Sequence, residues 1–231
     1  MVSEPGPQLP LRIGLRDSAT FDNFLVGDNQ AVVHAFQSGQ EPYVFAWGVS
    51  GTGKTHLLQA ACHAADAQGG QSAYLPGSEL QSLAPSILEG LEHLALVCLD
   101  DIQAVAGDAA WERALFDLYN RCRDAGTRIL VAGTNAPGGL GVMLPDLVSR
   151  LSWGPVYQMR TLSDDQKLEA LRRRACARGF SLPTEVARYL LHHASRDTKS
   201  LFLLLERMDR ASLAAQRKLT IPFVRDLIRR D

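Results

Sequence analysis

Tyr43-Val-Phe-Ala-Trp-Gly48-Val-Ser-Gly51-Thr52-Gly53-Lys54-Thr55-His56 passes from an apolar run, through three glycines, to a lysine and a hydroxyl. The run Tyr43 to Trp47 predicts a short buried strand. From Thr55 to Gln68 apolar residues recur at helical spacing until Gly69-Gly70 stops them. Between the two, Gly48 to Thr55 fits GxxxxGK[ST], a loop that wraps a phosphate when it joins a strand to a helix. Glycines let backbone N–H groups converge on an anion, and the helix N-terminus adds its partial positive charge. Gly48, Gly51, Thr52, Gly53, Lys54 and Thr55 are therefore the expected phosphate-binding residues. Lys54 would reach the outer phosphates and the Thr55 hydroxyl would bind Mg²⁺. His56, next on the helix, sits at the edge of this site, with a structural role as its plainer reading.

Outward from the loop, strands and helices alternate. Ser72 to Leu75, Leu94 to Leu99, Arg128 to Ala132 and Val156 to Met159 read as further strands, with helical stretches across Glu79 to Leu91 and Trp111 to Ala125. Continuous apolar strands between helices predict a doubly wound parallel α/β sheet. After Thr161 only helical patterns remain, at Ser163 to Arg178, Pro183 to about Ser195, Thr198 to Ala215 and Pro222 to Arg230. The expected organisation is a flexible tail over 1–19 with three prolines, an α/β nucleotide-binding domain over 20–161 and a small helical lid over 162–231.

Composition sets bounds on this reading. With 231 residues, 46% hydrophobic, 21% charged and a net charge of −1, the chain has ample apolar surface for a core and no signature of disorder. It lacks an apolar run of the ~20 residues a membrane helix needs, so a cytoplasmic protein without membrane contact is expected. Cys62, Cys98, Cys122 and Cys176 are too dispersed for a zinc ribbon or a redox pair, and each reads as a small buried thiol. The even balance hides a split, because residues 1–150 carry 8 basic and 16 acidic side chains and residues 151–231 carry 16 and 9. A basic C-terminal third suits nucleic acid, a phosphorylated ligand or the acidic first part of the same chain.

Two strand ends supply further candidates. Leu94 to Leu99 runs into Asp100-Asp101, where a carboxylate beside the phosphate loop can hold Mg²⁺. Asp100 takes that role, and Asp101 is placed to polarise an attacking water. The next strand ends in Gly133-Thr134-Asn135, whose amide at Asn135 would orient the water or touch the γ-phosphate, an ordinary turn residue being the alternative.

These residues resemble the AAA+ class, in the branch of the bacterial replication initiator DnaA. Thr20-Phe-Asp-Asn-Phe-Leu-Val-Gly27 is similar to the segment that packs on adenine in this branch, which implies Phe24, Leu25 and Val26 as nucleotide contacts. Asp100 to Gly107 resembles its Walker B stretch, and Leu147-Val-Ser-Arg150-Leu-Ser-Trp-Gly154 its arginine-finger motif. Asp209 to Leu213 and Leu219 to Ile228 look like DnaA-homologous regulators in particular. The resemblance covers about residues 20–230. It implies a five-stranded parallel sheet with a helical lid, ADP or ATP as ligand, and a lid sensor at Lys199 or at Arg196 one turn earlier. It also implies Arg150 as a finger offered in trans to a neighbouring subunit's γ-phosphate.

In the tail, Gln8-Leu9-Pro10-Leu11 resembles the short peptide with which many bacterial proteins dock on the DNA polymerase sliding clamp. Gln8 would bind a polar subpocket while Leu9, Leu11 and Ile13 fill an apolar cleft. No helix-turn-helix with a basic recognition helix is apparent, so DNA is expected to be met through the clamp and not at an origin sequence. The resulting expectation is a regulator that links the clamp to DnaA and stimulates hydrolysis of DnaA-bound ATP, with self-association open. The alternatives are an autonomous AAA+ ATPase, such as a helicase loader or remodeller, and a DNA-binding module.

Overall fold

The computed structural model describes residues 19–193, 198–215 and 219–228. Gln8, Leu9, Leu11, Ile13 and Arg196 lie outside these residues, as do the last residues expected in the second and fourth lid helices. The elements that follow are α1 (Gln30–Ser38), β1 (Tyr43–Trp47), α2 (Lys54–Ala67), β2 (Ser72–Pro76), α3 (Gly77–Leu80), β3 (Leu96–Asp100), α4 (Ala109–Ala125), β4 (Arg128–Gly133), α5 (Pro145–Leu151) and β5 (Val156–Gln158). Four more helices complete the chain: α6 (Asp164–Ala177), α7 (Thr184–His193), α8 (Thr198–Ala215) and α9 (Ile221–Ile228).

All five strands run parallel in the order β2-β3-β4-β1-β5, as expected of the AAA+ sheet. Period-2 alternation sends side chains of one strand to two cores. Val44 and Ala46 of β1 face α1 and α2, joining Val32, Phe36, Leu57, Leu58, Leu130 and Ala132. Phe45 faces the other way, with Val97, Leu99, Ile129 and Val131 against Leu115, Leu118 and Tyr119 of α4 and Leu147 of α5. Helices on both faces bury β2, β3 and β4 and the middle of β1, which is why these strands read as apolar runs, while the edge strand β5 leaves Val156 and Gln158 exposed.

The register aligns the strand C-termini. Trp47 is level with Gly133 and Gln158, and Pro76 with Asp100. The loop after β1 and the ends of β3 and β4 therefore share one edge, where the strand order reverses and open α/β sheets form their ligand crevice.

The stretch expected to be helical across Glu79 to Leu91 is mostly not α-helix. After the single turn of α3 the chain makes two 3₁₀ turns, Pro85–Leu88 and Leu91–His93. Pro85 lacks the N–H an α-helix interior needs, and Gly90 at φ 81° turns the chain left-handed. Conversely, α1 formed without having been expected.

A second compact unit begins at Arg160 and holds α6 to α9. Leu171, Ala175, Val186, Leu190, Leu201, Leu205, Met208 and Val224 form its own core. Ser163 opens α6 with a capping box, accepting from the Gln166 N–H while the Gln166 amide oxygen accepts from the Ser163 N–H. Part of this unit's basic surplus is used inside it. Arg178 pairs with Glu206 at 2.8 Å and Asp209 at 3.5 Å, Arg174 with Glu206 at 3.4 Å, and Arg173 with Glu169 at 2.7 Å. Cys176 is exposed, against the expectation of four buried thiols, because it lies on the outer face of α6, while Cys62, Cys98 and Cys122 are buried. Among the described residues no helix is long and apolar enough to cross a membrane.

Candidate functional site

The phosphate loop folds as its glycines dictate. Gly51 and Gly53 have φ of 83° and 97°, a region that costs residues with a Cβ about 1–2 kcal/mol. At Gly53 space is also short: a Cβ there would stand 2.5 Å from Cε2 of Phe24. The loop is thereby met by the segment expected to pack on adenine, of which Phe24 and Val26 also pack on the core beside α1 and α2. His56 fixes that segment, its Nε2–H donating to the Thr20 carbonyl at 2.8 Å and its ring 5.3 Å from that of Phe24. The plainer reading of His56, as a structural residue, describes these contacts.

Lys54 begins α2 and is only 6% exposed. Its ammonium donates to the carbonyls of Gly48 at 2.7 Å and Val49 at 3.2 Å, curling the loop around itself. Burial pushes this ammonium below the ordinary lysine range, and the charges of Asp101 and Asp100 oppose the shift. A cation held by neutral carbonyls and two nearby carboxylates is suited to exchange those carbonyls for phosphate oxygens.

At the end of β3 the two aspartates separate in role. Asp100 is 2% exposed, and each of its oxygens has a donor. Oδ2 accepts from the Tyr74 hydroxyl at 2.7 Å, and Oδ1 accepts from the Asp101 N–H at 2.9 Å. The Thr55 hydroxyl also hydrogen-bonds to Asp100, joining the two residues expected to hold Mg²⁺. Burial pushes the Asp100 carboxyl above its usual range, against the pull of the Thr55 and Tyr74 hydrogen bonds. Tyr74 is itself raised, by burial first and then by the charge of Asp100, while the Gln59 amide hydrogen-bonds to its phenol.

Asp101 is half-buried and takes φ 47° and ψ 47°, the one non-glycine residue with positive φ among those described. The turn leaves no room for a side chain at the start of α3. A Cβ at Gly77 would lie 2.3 Å from the Asp101 carbonyl oxygen, so glycine is required there. Such a strained position persists only where its surroundings over-determine it, and it turns the Asp101 side chain away from the line of β3. Gln103 bridges the strand ends, its amide N–H donating to Asp101 Oδ1 at 3.1 Å and its oxygen accepting from the Thr134 N–H at 3.2 Å.

Asn135 follows β4, its amide donating to the Gly139 carbonyl at 3.0 Å. This is the turn alternative weighed for it. Lys199 lies in α8, and Leu25 is half-buried beside Phe24.

The donor set fits a nucleotide with Mg²⁺. Among the described residues there is no group of three or more His, Cys, Asp or Glu able to hold a metal alone. Mg²⁺ characteristically takes one or two protein oxygens plus substrate phosphates, and Thr55 with Asp100 offers those oxygens beside a loop shaped for phosphate.

Arg150 stands apart from this cluster, in the last turn of α5. Its guanidinium lies 4.0 Å from the ring centroid of Trp153 and 5.2 Å from that of Phe116 on α4. Trp153 is 37% exposed, so the stack is at the surface and not in the core. Nε is buried with no hydrogen-bond partner among the described residues. The sheet unit thus turns a carbonyl-held lysine and two carboxylates toward one edge and carries a ring-held arginine on α5.

Tyr74, Gln59 and Gln103 were not singled out from the sequence. A tyrosine in an otherwise apolar strand, Ser72-Ala-Tyr74-Leu-Pro76, was the available signal, since a buried phenol needs a partner. Nothing local marks Gln103.

Residues 15–158 match the family of the bacterial DnaA ATPase domain, and residues 164–228 match the lid domain of Hda. Among solved structures, domain III of the Thermotoga maritima replication initiation protein DnaA superposes with a TM-score of 0.80. It covers 91% of this chain and 95% of that one at 22% identity. A replication initiator DnaA bound to AMPPCP and single-stranded DNA superposes at 0.72, with 24% identity over 88% of this chain and 70% of its own. The Thermotoga maritima RuvB Holliday junction branch migration motor reaches 0.67 at 16% identity, over 90% and 70%. At these identities the likenesses establish the AAA+ fold.

Proposed function

The chain belongs to the bacterial DnaA ATPase family and carries a lid of the Hda type, a DnaA-related AAA+ replication regulator, and from this we propose that it presents Arg150 to the triphosphate of a DnaA partner. The observation that carries the reading is how Arg150 is held. A guanidinium stacked on Trp153 and Phe116 keeps its planar edge available for a bidentate contact with phosphate oxygens. Two rings offset its charge, and Nε is buried against them with no hydrogen-bond partner among the described residues. Such an arginine stabilises the charge that builds on a transferring phosphoryl group, an effect of about 10³–10⁵ in rate.

The chain's own nucleotide, ADP or ATP, serves first as structure. Gly48 to Thr55 would cradle its phosphates, Lys54 would pair with the outer ones, and Phe24, Leu25 and Val26 would line its base. Thr55 and Asp100 would hold Mg²⁺, which when bound neutralises phosphate charge. Asp101, which accepts a hydrogen bond from Gln103, would polarise a water at this site. Lys199 or Arg196 would meet the phosphates from the lid. The tail peptide, with Gln8, Leu9, Leu11 and Ile13, would dock on the sliding clamp, so that DNA is reached through it. A DnaA homologue in solved form binds an ATP analogue, in keeping with an adenine nucleotide here.

The deciding experiment measures hydrolysis of DnaA-bound ATP in the presence of clamp-loaded DNA. Wild type is compared with Arg150→Ala and Gln8→Ala, both expected to lose stimulation, the second only when clamp is required. No stimulation by the wild type ends the reading. ATP turnover by the isolated protein that Asp101→Asn abolishes would instead favour the autonomous ATPase.

A further inference from the structure

We propose that Glu112 is a positioning residue that ties the end of β3 to the helix carrying Arg150; this rests on Arg150 serving another molecule's phosphate, as proposed above. Glu112 lies in the first turn of α4 and is 2% exposed. A buried carboxylate must be met by donors, and all of its hydrogen-bond donors found here are backbone N–H groups from two loops. Oε1 accepts from Gly107 at 2.7 Å and Met143 at 2.9 Å. Oε2 accepts from Met143 at 3.1 Å and Leu144 at 2.7 Å.

These two loops matter for different reasons. Gly107 closes the segment that starts at Asp100 and Asp101, the carboxylates of the phosphate site. Met143 and Leu144 lead into Pro145, the first residue of α5, where proline offers no N–H and Leu144 provides no side-chain cap. The entry to α5 is therefore anchored from α4. One turn further along α4, Phe116 lies against the Arg150 guanidinium at 5.2 Å. Helix α4 holds α5 at both ends, with a carboxylate at its start and a ring beneath its arginine.

A single side chain gripping both loops gives 101–107 and 143–144 a contiguous connection, through which a displacement of one would reach the other. Occupancy of the chain's own phosphate site thus sets the aim of Arg150.

Glu112→Gln tests this while keeping the side-chain volume. One oxygen becomes an NH₂ donor, which faces a backbone donor and releases one of the two loops. In the variant, maximal stimulation of DnaA-bound ATP hydrolysis is expected to fall about 10²-fold, the scale of a misplaced catalytic group. The concentration giving half-maximal stimulation stays unchanged, and Glu112→Gln/Arg150→Ala is no slower than Arg150→Ala alone. An unchanged maximal rate, or losses that add in the double variant, overturns the proposal.

Amide hydrogen exchange provides a readout that needs no DnaA. In the wild type, ADP slows exchange in both 101–107 and 141–152, whereas in Glu112→Gln it slows 101–107 only. Protection confined to 101–107 in the wild type, or reaching both segments in the variant, overturns the link. A wild type that fails to stimulate DnaA overturns the regulatory reading alone, and exchange then still decides the role of Glu112.

Discussion

Lys54 is buried while Arg150 is half-buried at the surface, and their surroundings differ in kind. Lys54 donates to two carbonyls of its own loop and stands near Asp100 and Asp101, so charge and hydrogen bonds are met within the site. Arg150 rests on Trp153 and Phe116, and Nε has no partner among the described residues. A lysine supplied with exchangeable oxygens suits a ligand that arrives and replaces them. An arginine steadied only by rings suits a partner that brings the oxygens with it. The contrast separates holding a nucleotide from acting on someone else's.

The largest expected effect breaks the arginine side of the contrast. Arg150→Ala should lower stimulation of DnaA-bound ATP hydrolysis by about 10³–10⁵-fold. The same variant should leave ADP binding to this chain unchanged, measured by calorimetry; weakened ADP binding would place Arg150 at the chain's own site.

On the lysine side, Lys54→Ala should remove most of the stabilisation that ADP confers. Ligand at 100 times its dissociation constant adds about 2.7 kcal/mol, or about 5–10 °C in Tm for a protein of this size. A melting temperature in ADP equal to that of wild type would sink the assignment.

Trp153→Leu sharpens the comparison. It removes a cation–π contact of about 0.5–2 kcal/mol, so maximal stimulation should fall roughly 2- to 30-fold, and Tm should fall too because the ring also packs on Tyr43 and Arg123. Equal rates in the two proteins would mean that Phe116 alone suffices to hold Arg150.

The smallest effect concerns pH. Burial raises the folded-state pKa of Asp100 above the ordinary aspartate value of about 3.9, so the folded protein binds that proton more tightly. Its favourable contribution is complete below the unfolded value and is lost as pH rises through the folded one. The Tm difference between ligand-free Asp100→Asn and wild type should therefore move in the variant's favour as pH rises from 3 to 7. A gap independent of pH would assign the difference to packing. Stability given up at this carboxylate is the usual cost of a site kept ready for a ligand.

How far the site was legible follows from which contacts are local. Gly48 to Thr55 could be read outright because strand, loop and helix are contiguous and glycine's freedom of φ is a property of the residue itself. The sequence also placed Asp100 at a strand end, and the register of β3 beside β4 confirmed that edge. Asn135 was read as a water contact or a turn residue, and its amide donates to the Gly139 carbonyl in the turn after β4. Tyr74 lies 26 residues from Asp100 and Glu112 lies 31 and 32 from Met143 and Leu144, so no local pattern could pair them. The stretch 79–91 misled because its apolar spacing was helical while Pro85 and Gly90 forbade the hydrogen bonds.

By itself, the sequence determined the alternation of strands and helices, the glycine loop that joins β1 to α2 and the helical character of the C-terminal unit. These follow from periodicity and from backbone preferences within a few residues. Only the tertiary structure decided that Asp100 is sealed between Tyr74 and Thr55, that Asp101 is forced to positive φ against Gly77, and that Arg150 is laid on two rings. Burial, crowding and stacking are made by elements far apart in the chain, and they come into being only when the sheet brings those elements together.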